Sequence, residues 1–399
     1  MNTIDLGAST VSGNLSVTAA GPIMQSGAIT ANVVGKTATF AAGAGNNITL
    51  AGANDFSTVM ITNGYDVTLN DINGIDLGNS AIAGNLNVTA AGPITESGYI
   101  TANGVGKTAT FAAGAGNNIT LGENNDFSTL TVASGNNVSV NDVTAINLGV
   151  STVSGTLNVT ACGTITQTGP LSVTGAATFA AGSTNDIILA DSNNFSSVGI
   201  TNANDVILNS TGALALNNST VSNNLTAIAS GDLTLNGLIN AGSIVTINST
   251  GGAIINGMGS SISISANMLD AIAVNGIGSG DPLMTGVCII NAVNTTANNI
   301  EIDNTGVLAV GGLSNGGTGN VILQNIGEIT TDGSTITSGG AVSIIANSPL
   351  TIGAGGVSAN GNITLEASAS GASDDLTING MVSSSNGNII LKAGSSIIL

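Results

Sequence analysis

The chain repeats itself with a period of 71 positions, and this repeat restricts the possible folds more than any other feature. Ile4-Asp5-Leu6-Gly7 returns 71 positions later as Ile75-Asp76-Leu77-Gly78, and again as Ile146-Asn147-Leu148-Gly149. The third copy then loses three residues, so that Phe195 follows Phe127 by 68. A recurrence of this kind predicts an array of similar units in which each unit contacts its neighbours.

Each copy consists of short runs in which apolar and polar residues alternate. In the second copy, Leu86 and Val88 alternate with Asn87 and Thr89. Alternation with a period of two places successive side chains on opposite faces of a β-strand. The Gly, Asn, Asp and Ser residues between the runs are typical of turns, and no stretch shows the helical period of 3.6. The sequence therefore predicts an all-β protein.

The second copy divides into three pieces, 84–105, 106–126 and 127–154, of which the last is the longest. This division predicts three coils per copy, with about three short strands per coil, and about 17 coils in the whole chain. Similar residues at a constant period favour a parallel β-helix, or β-solenoid, over an antiparallel sandwich with a strand every 8–12 residues. The chiral preference of parallel crossovers predicts a right-handed coil.

Two regions of this solenoid are expected. Residues 1–228 are predicted to contain the 71-residue three-coil blocks, and residues 229–399 to continue the solenoid with shorter coils of about 21 residues. The glycine-rich segment 276–286 has no counterpart elsewhere in the chain. We expect either an ordinary corner loop there or a surface insertion of the kind that often carries recognition.

The alternation also predicts the core. Ten residues of the second copy, with their equivalents 71 positions earlier, are expected to point inward, and they are Leu86, Val88, Ala109, Phe111, Ile119, Leu121, Val138, Val140, Ile146 and Leu148. Cys162 stands where the earlier copies have Ala20 and Ala91. A small buried thiol is therefore expected, with a disulfide or a reactive site as the alternative.

The charge balance excludes several kinds of partner. The chain has 22 acidic residues against three lysines (Lys36, Lys107 and Lys392), with no Arg or His, and a net charge of −19. This balance argues against binding to nucleic acid or to an anionic membrane surface, and no apolar run is long enough to predict membrane insertion. The acids are scattered singly, which favours solvation over calcium binding, and neither common calcium-loop motif is present.

The sequence predicts no enzyme. A nucleophile–histidine pair needs His, and parallel β-helix enzymes that cleave polysaccharides use clustered carboxylates with a basic residue. Asp374-Asp375 is the one adjacent acidic pair, and neighbouring residues on a strand face opposite ways. Ice binding needs Thr-x-Thr on every coil, whereas Thr108-Ala109-Thr110 occurs once per copy. We therefore predict no catalytic, cofactor-binding or metal-binding residues and no cofactor.

Four motifs resemble the repeats of the filamentous haemagglutinin type, which occur in very large bacterial surface proteins. They are Gly84-Asn85-Leu86-Asn87-Val88-Thr89-Ala90, Pro93-Ile94-Thr95, Thr108-Ala109-Thr110-Phe111 and Asn125-Asp126-Phe127-Ser128. The resemblance is close over residues 1–228. It implies a right-handed parallel β-helix, export to the bacterial cell surface or the extracellular space, and a role as an adhesin shaft or a cell-surface fibre.

The predicted function is accordingly a structural extracellular β-solenoid rod, which is the shaft of a surface adhesin or a subunit of a fibre. The alternative is a carbohydrate- or receptor-binding module that uses a solenoid face or the 276–286 loop, with host or surface glycans as ligands. Both ends of the sequence lie within the repeat pattern. We therefore expect end-to-end self-association or continuation in a longer chain.

Overall fold

The computed structural model describes residues 2–368 and 374–399, and the regular elements in this part of the chain are all β-strands. Each strand pairs in parallel with strands about one turn away, as β1 (Ile4–Leu6) does with β4 (Ile23–Gln25). The fold is a parallel β-solenoid of about 19 turns. The predicted fold class is thus confirmed, and the parallel register is consistent with the right-handed coil expected from the sequence.

The chain divides into two compact units, Met1–Ser196 and Ser197–Leu399. In the first unit, strands β1 to β23 are Ile4–Leu6, Ser9–Thr10, Leu15–Thr18, Ile23–Gln25, Ile29–Ala31, Thr37–Ala41, Ile48–Phe56, Thr58–Asn63, Val67–Asp71, Ile75–Leu77, Ser80–Ala81, Leu86–Ala90, Ile94–Glu96, Ile100–Ala102, Thr108–Ala112, Ile119–Phe127, Thr129–Ser134, Val138–Asp142, Ile146–Leu148, Ser151–Val153, Leu157–Ala161, Ile165–Gln167 and Leu171–Ala180. Strand β24, Ile187–Ala203, includes the boundary between the units.

In the second unit, strands β25 to β46 are Val206–Ser210, Leu214–Val221, Leu225–Ala229, Leu233–Leu235, Ile239–Ala241, Ile244–Ser249, Ile254–Asn256, Ile264–Ala273, Leu283–Asn294, Ile300–Thr305, Leu308–Asn315, Val321–Ile326, Ile329–Thr331, Ile336–Ser338, Val342–Ala346, Leu350–Ile352, Val357–Ala359, Ile363–Ala367, Leu376–Ile378, Val382–Ser384, Ile389–Ala393 and Ile397–Ile398. Val321, Val342 and Ile363 form one ladder, in which successive members are 21 positions apart.

The turns of the first unit are close to this length as well. Val67 pairs with Leu86, Leu86 with Ala109, and Ala109 with Leu130. These three turns therefore advance the chain by 19, 23 and 21 positions. The mean is shorter than the coil length expected from the sequence, so the chain makes about 19 turns where about 17 were predicted.

The sequence repeat spans about three and a half turns. Val138, the equivalent of Val67, pairs with Ile119 and Leu157 and therefore lies on a different stack from Leu130. This register differs from the predicted division of each copy into three coils. Sequence similarity reveals which positions recur, but it does not reveal how far the chain has rotated between two recurrences.

Two copies return the chain to the same stack. Leu15 is connected to Leu157, its equivalent in the third copy, by seven pairing steps that run through Ala38, Val59, the strand Ile75–Leu77, Ile94, Ile119 and Val138. Adjacent copies are thus related by an extra half turn. Equivalent side chains of the first and second copies face two different sides of the first unit, and those of the first and third copies share one side.

The predicted core is confirmed. All ten inward residues named for the second copy are buried, and so are their earlier equivalents, except for Leu15 in the first turn, which is half-buried. Phe111 packs edge-on against Phe127 with the ring centroids 6.0 Å apart. The Phe pairs of the first and third copies have almost the same geometry, with centroids 6.1 and 6.2 Å apart.

A buried asparagine stabilises the bend before the second Phe of each copy. In the first copy, the Oδ1 atom of Asn54 accepts a bond from the Ile29 N–H at 2.9 Å, and its Nδ2 donates to the Leu50 carbonyl at 3.0 Å. Asn125 and Asn193 make the equivalent bonds in the next two copies. The strand register shifts between Leu50 and Asn54, so these amides satisfy backbone groups that the ladder leaves unpaired.

Candidate functional sites

The segment 276–286 is largely a part of the ladder. Ile277 is fully buried and bridges in parallel to Ile254 and Ile300 in the neighbouring turns. Only 279–281 are exposed. Gly278 has φ = +59°, and a Cβ atom there would lie 2.4 Å from the Glu301 carbonyl oxygen, so this tight corner requires glycine. Because glycines flank Ile277, the sequence there lacks the alternation of apolar and polar residues that would indicate a buried strand position.

This corner forms one wall of a surface cleft of about 330 Å³. Asn256, Asn275 and Asn298 line it together with Ser279 and Asp281. The Asn256 amide is buried and donates to the Gly259 and Pro282 carbonyls at 2.7 and 2.9 Å, which fixes the corner. The other two amides and the Asp281 carboxylate are exposed. The cleft therefore presents donors and acceptors suited to polar, uncharged ligands.

A second groove, of about 150 Å³, crosses the outward faces of four turns. Met284, Asp303, Gln324 and Ile345 form one row of parallel partners along it. The Oδ1 atom of Asp303 is buried without a hydrogen-bond partner. Burial raises the pKa of this carboxyl above its usual value, and the nearby Glu301 carboxylate raises it further. The groove is a mixed apolar and polar surface with one poorly solvated acid.

The buried acids of the first unit have structural roles. The Asp71 carboxylate accepts bonds from the Phe56 N–H at 2.7 Å and the Asn73 N–H at 3.0 Å. Asp142 accepts the equivalent bond from the Phe127 N–H at 2.7 Å. Desolvation raises the pKa of both carboxyls, against the lowering effect of these bonds. Within residues 2–368 and 374–399, no group of three or more His, Cys, Asp or Glu side chains could hold a metal ion.

Two of the three lysines contact side chains in other turns. Lys392 Nζ lies 2.9 Å from the Glu366 carboxylate, and Lys107 Nζ lies 5.2 Å from the centroid of the Tyr65 ring. Both contacts connect parts of the chain that are distant in sequence. These contacts are consistent with a structural role for Lys107 and Lys392.

The expectation of a buried thiol at Cys162 is wrong. Cys162 and Cys288 are both free and exposed. Cys162 follows β21, at a corner where the earlier equivalents Ala20 and Ala91 are also exposed. Alanine at the equivalent positions suggested that the Cys162 thiol would be buried. Position 162, however, follows the last inward-facing residue of its strand and faces solvent.

The chain matches a protein-family model over four consecutive stretches, which are residues 1–63, 64–134, 135–202 and 203–256. The model is described as "Repeats of unknown function (DUF5649)". These matches cover 256 of the 399 residues. The chain belongs to this family. No curated protein and no solved structure matches it significantly.

The DUF5649 matches follow the repeat found in the sequence. The second match, 64–134, has the same length as the sequence repeat and begins at Gly64, which bridges to Ile82 in the next turn. One family repeat therefore corresponds to about three and a half turns of solenoid. In the part of the chain that the structure describes, no helix qualifies as a candidate membrane span.

Proposed function

We propose that this DUF5649 chain is a structural β-solenoid rod. The observation that carries the proposal is the continuity of the parallel ladders, in which nearly every turn is built from its neighbours by backbone pairing and aligned apolar side chains. Such an array extends by adding turns and needs no separate active centre. The absence of Arg and His from the sequence favours a non-enzymatic role.

We assign this rod to the bacterial cell surface or the extracellular space, as the shaft of an adhesin or a subunit of a fibre. The support is the resemblance of residues 1–228 to repeats of the filamentous haemagglutinin type. The net charge of −19 adds mutual repulsion between neighbouring rods. The same charge disfavours nucleic acid as a partner.

The expected partner is more solenoid. Each turn of a parallel ladder presents backbone N–H and C=O groups at its two edges, and such edges pair with a turn of similar sequence. These edges would pair with further turns, either from a second copy of the chain or from a longer chain. Association of this kind is head-to-tail and gives filaments.

Small-angle X-ray scattering of the purified chain at low concentration tests the rod. About 19 turns at ~4.8 Å per turn give a length of about 90 Å and a radius of gyration of about 26 Å or more. A compact domain of the same chain length would have a radius of gyration of about 21 Å. A value near the compact limit would refute the proposal.

A second candidate function is glycan binding at the cleft beside 276–286. The exposed amides of Asn275 and Asn298 and the carboxylate of Asp281 line this cleft, and such groups suit sugar hydroxyls. A glycan array with the unaltered chain and with an N275A/N298A variant tests it, with the distant, exposed Asn73→Ala as the control. Binding lost only in the cleft variant would support this function, and unchanged or absent binding would contradict it.

A further inference from the structure

A pair of amide side chains connects adjacent turns in the first and third copies of the repeat. Gln25 Nε2 donates to Asn54 Oδ1 at 2.9 Å, and Asn54 Nδ2 donates back to Gln25 Oε1 at 2.9 Å. Gln167 and Asn193 form the same reciprocal pair at 2.9 and 3.0 Å. In both copies the glutamine Nε2 also donates to a glycine carbonyl two residues on, at 2.8 and 3.0 Å.

The second copy replaces this glutamine by Glu96. One carboxylate oxygen, Oε1, keeps the acceptor role and receives bonds from Asn125 Nδ2 at 2.9 Å and from the Glu123 N–H at 2.5 Å. The other oxygen, Oε2, is buried and has no hydrogen-bond partner. The groups that receive the glutamine Nε2 in the other copies correspond here to Asn125 Oδ1 and the Gly98 carbonyl, which are both acceptors. An ionised carboxylate cannot donate to them.

The charged groups that face Glu96 are also acids. Asp76 lies on β10 in the preceding turn, and Glu123 lies on β16 in the following turn. Desolvation is the main effect that raises the pKa of Glu96, and the two carboxylates add to it. The bonds from Asn125 and Glu123 oppose the shift without cancelling it.

We propose that Glu96 is a proton-operated contact between β13 and β16. When it is protonated, its Oε2–H donates to Asn125 Oδ1 or to the Gly98 carbonyl and restores the pairing that glutamine makes in the other two copies. When it is ionised, this donor is lost and a buried charge faces two acceptors and two acids. The second copy thus becomes tighter as pH falls, whereas the first and third copies do not respond at this position.

The direction of the effect follows from proton linkage. Because the pKa of Glu96 is higher in the folded chain than in the unfolded chain, its stabilising contribution is complete below the unfolded pKa. The contribution is lost as pH rises through the folded pKa. Between these two values, the folded-to-unfolded ratio of the wild-type chain falls with rising pH relative to a variant with glutamine there, by at most about tenfold per pH unit.

The first measurement is a ¹³C NMR titration of the glutamate carboxyls in the intact chain from pH 8 to pH 3, with E96Q identifying the Glu96 signal. We expect Glu96 to titrate above the ordinary value of a glutamate, and the protection of the Ile100 amide, which donates to Asn125, to rise against hydrogen exchange as Glu96 protonates. In E96Q this protection should be high throughout. Titration of Glu96 at an ordinary pKa, or pH-independent protection in the wild type, would overturn the proposal.

Gln167→Glu is the matched variant, because Gln167 makes the same pair and Asp191 stands where the second copy has Glu123. It should transfer the pH response to the Leu171 amide, which donates to Asn193. A response at Ile100 that persists in E96Q would contradict the assignment to Glu96. Calcium that raises protection at pH 8 in the wild type but not in E96Q would show a cation contact instead, and would overturn the proton mechanism.

Discussion

At the scale of single residues, each copy depends on a few buried groups that recur with nearly unchanged geometry. The edge-on Phe pairs and the buried asparagines occur at equivalent positions in three copies. Ala, Val, Ile and Leu fill most of the remaining core, so each Phe contributes a large share of the apolar area in its turn. Removal of one Phe ring should therefore lower the free energy of unfolding substantially.

Phe111→Ala should lower the free energy of unfolding by about 3–5 kcal/mol, because the ring is fully buried and packs on Phe127. Urea unfolding followed by circular dichroism measures this change. Tyr99→Ala is the control, because the Tyr99 side chain is about half exposed, and it should change stability by less than about 0.5 kcal/mol. Equal effects of the two substitutions would show that the inward register is wrong.

At the scale of the element, one sequence repeat does not correspond to a whole number of solenoid turns. One family repeat makes about three and a half turns, so equivalent strands of adjacent copies lie on different stacks. If one whole copy were removed, the strand pairings formed at the new junction would match pairings that already exist between the other copies. For example, Ile48 would stack on Val138, which copies the existing pairing of Ile119 with Val138.

Deletion of residues 64–134 should therefore leave a folded solenoid with full β-type circular dichroism, because stability in such arrays is set by contacts between neighbours. Deletion of residues 64–98, about half a copy, is the control. It joins positions that are not equivalent and should disrupt the core at the junction. If both deletions fold equally well, the repeat has no role in specifying the winding.

The sequence predicts the strands and the core of each repeat well, but it does not predict the number of residues in each solenoid turn. Alternation identified Leu86, Phe111 and Val138 as inward, because burial on one face of a strand leaves a period of two. The number of residues per turn depends on corners, where Gly and Asn tolerate many conformations. Both Cys162 and Ile277 lie at such corners. The sequence pattern therefore failed to predict that the Cys162 thiol is exposed and that Ile277 is part of a ladder.

The candidate sites were less predictable still. The Asp303 groove and the Asn275–Asn298 cleft arise from residues that are about 20 positions apart and meet only when turns stack. The Glu96 contact could have been found from the sequence, since aligned copies show Gln25, Glu96 and Gln167 at one position. What the alignment could not show is that the second carboxylate oxygen of Glu96 is buried without a hydrogen-bond partner.

At the scale of the whole molecule, the strands of both units pair in the same parallel manner. Asn87 pairs with Thr110 in the first unit, and Ser343 pairs with Thr364 in the second. The residues of each pair lie in neighbouring turns, 23 and 21 positions apart. The antiparallel alternative would instead pair strands that follow each other directly, such as β15 and β16, which contain Thr110 and Thr120.

Disulfide trapping in a chain with Cys162 and Cys288 replaced by Ser tests this claim most directly. Paired cysteines at 87 and 110, and at 343 and 364, should form disulfides rapidly, because parallel neighbours place their Cα atoms within the ~4.4–6.8 Å that a disulfide spans. Cysteines at 110 and 120 should not. Mass spectrometry of the oxidised monomer identifies the bonds. Rapid bonding of 110 to 120, with neither predicted pair bonding, would contradict the parallel solenoid.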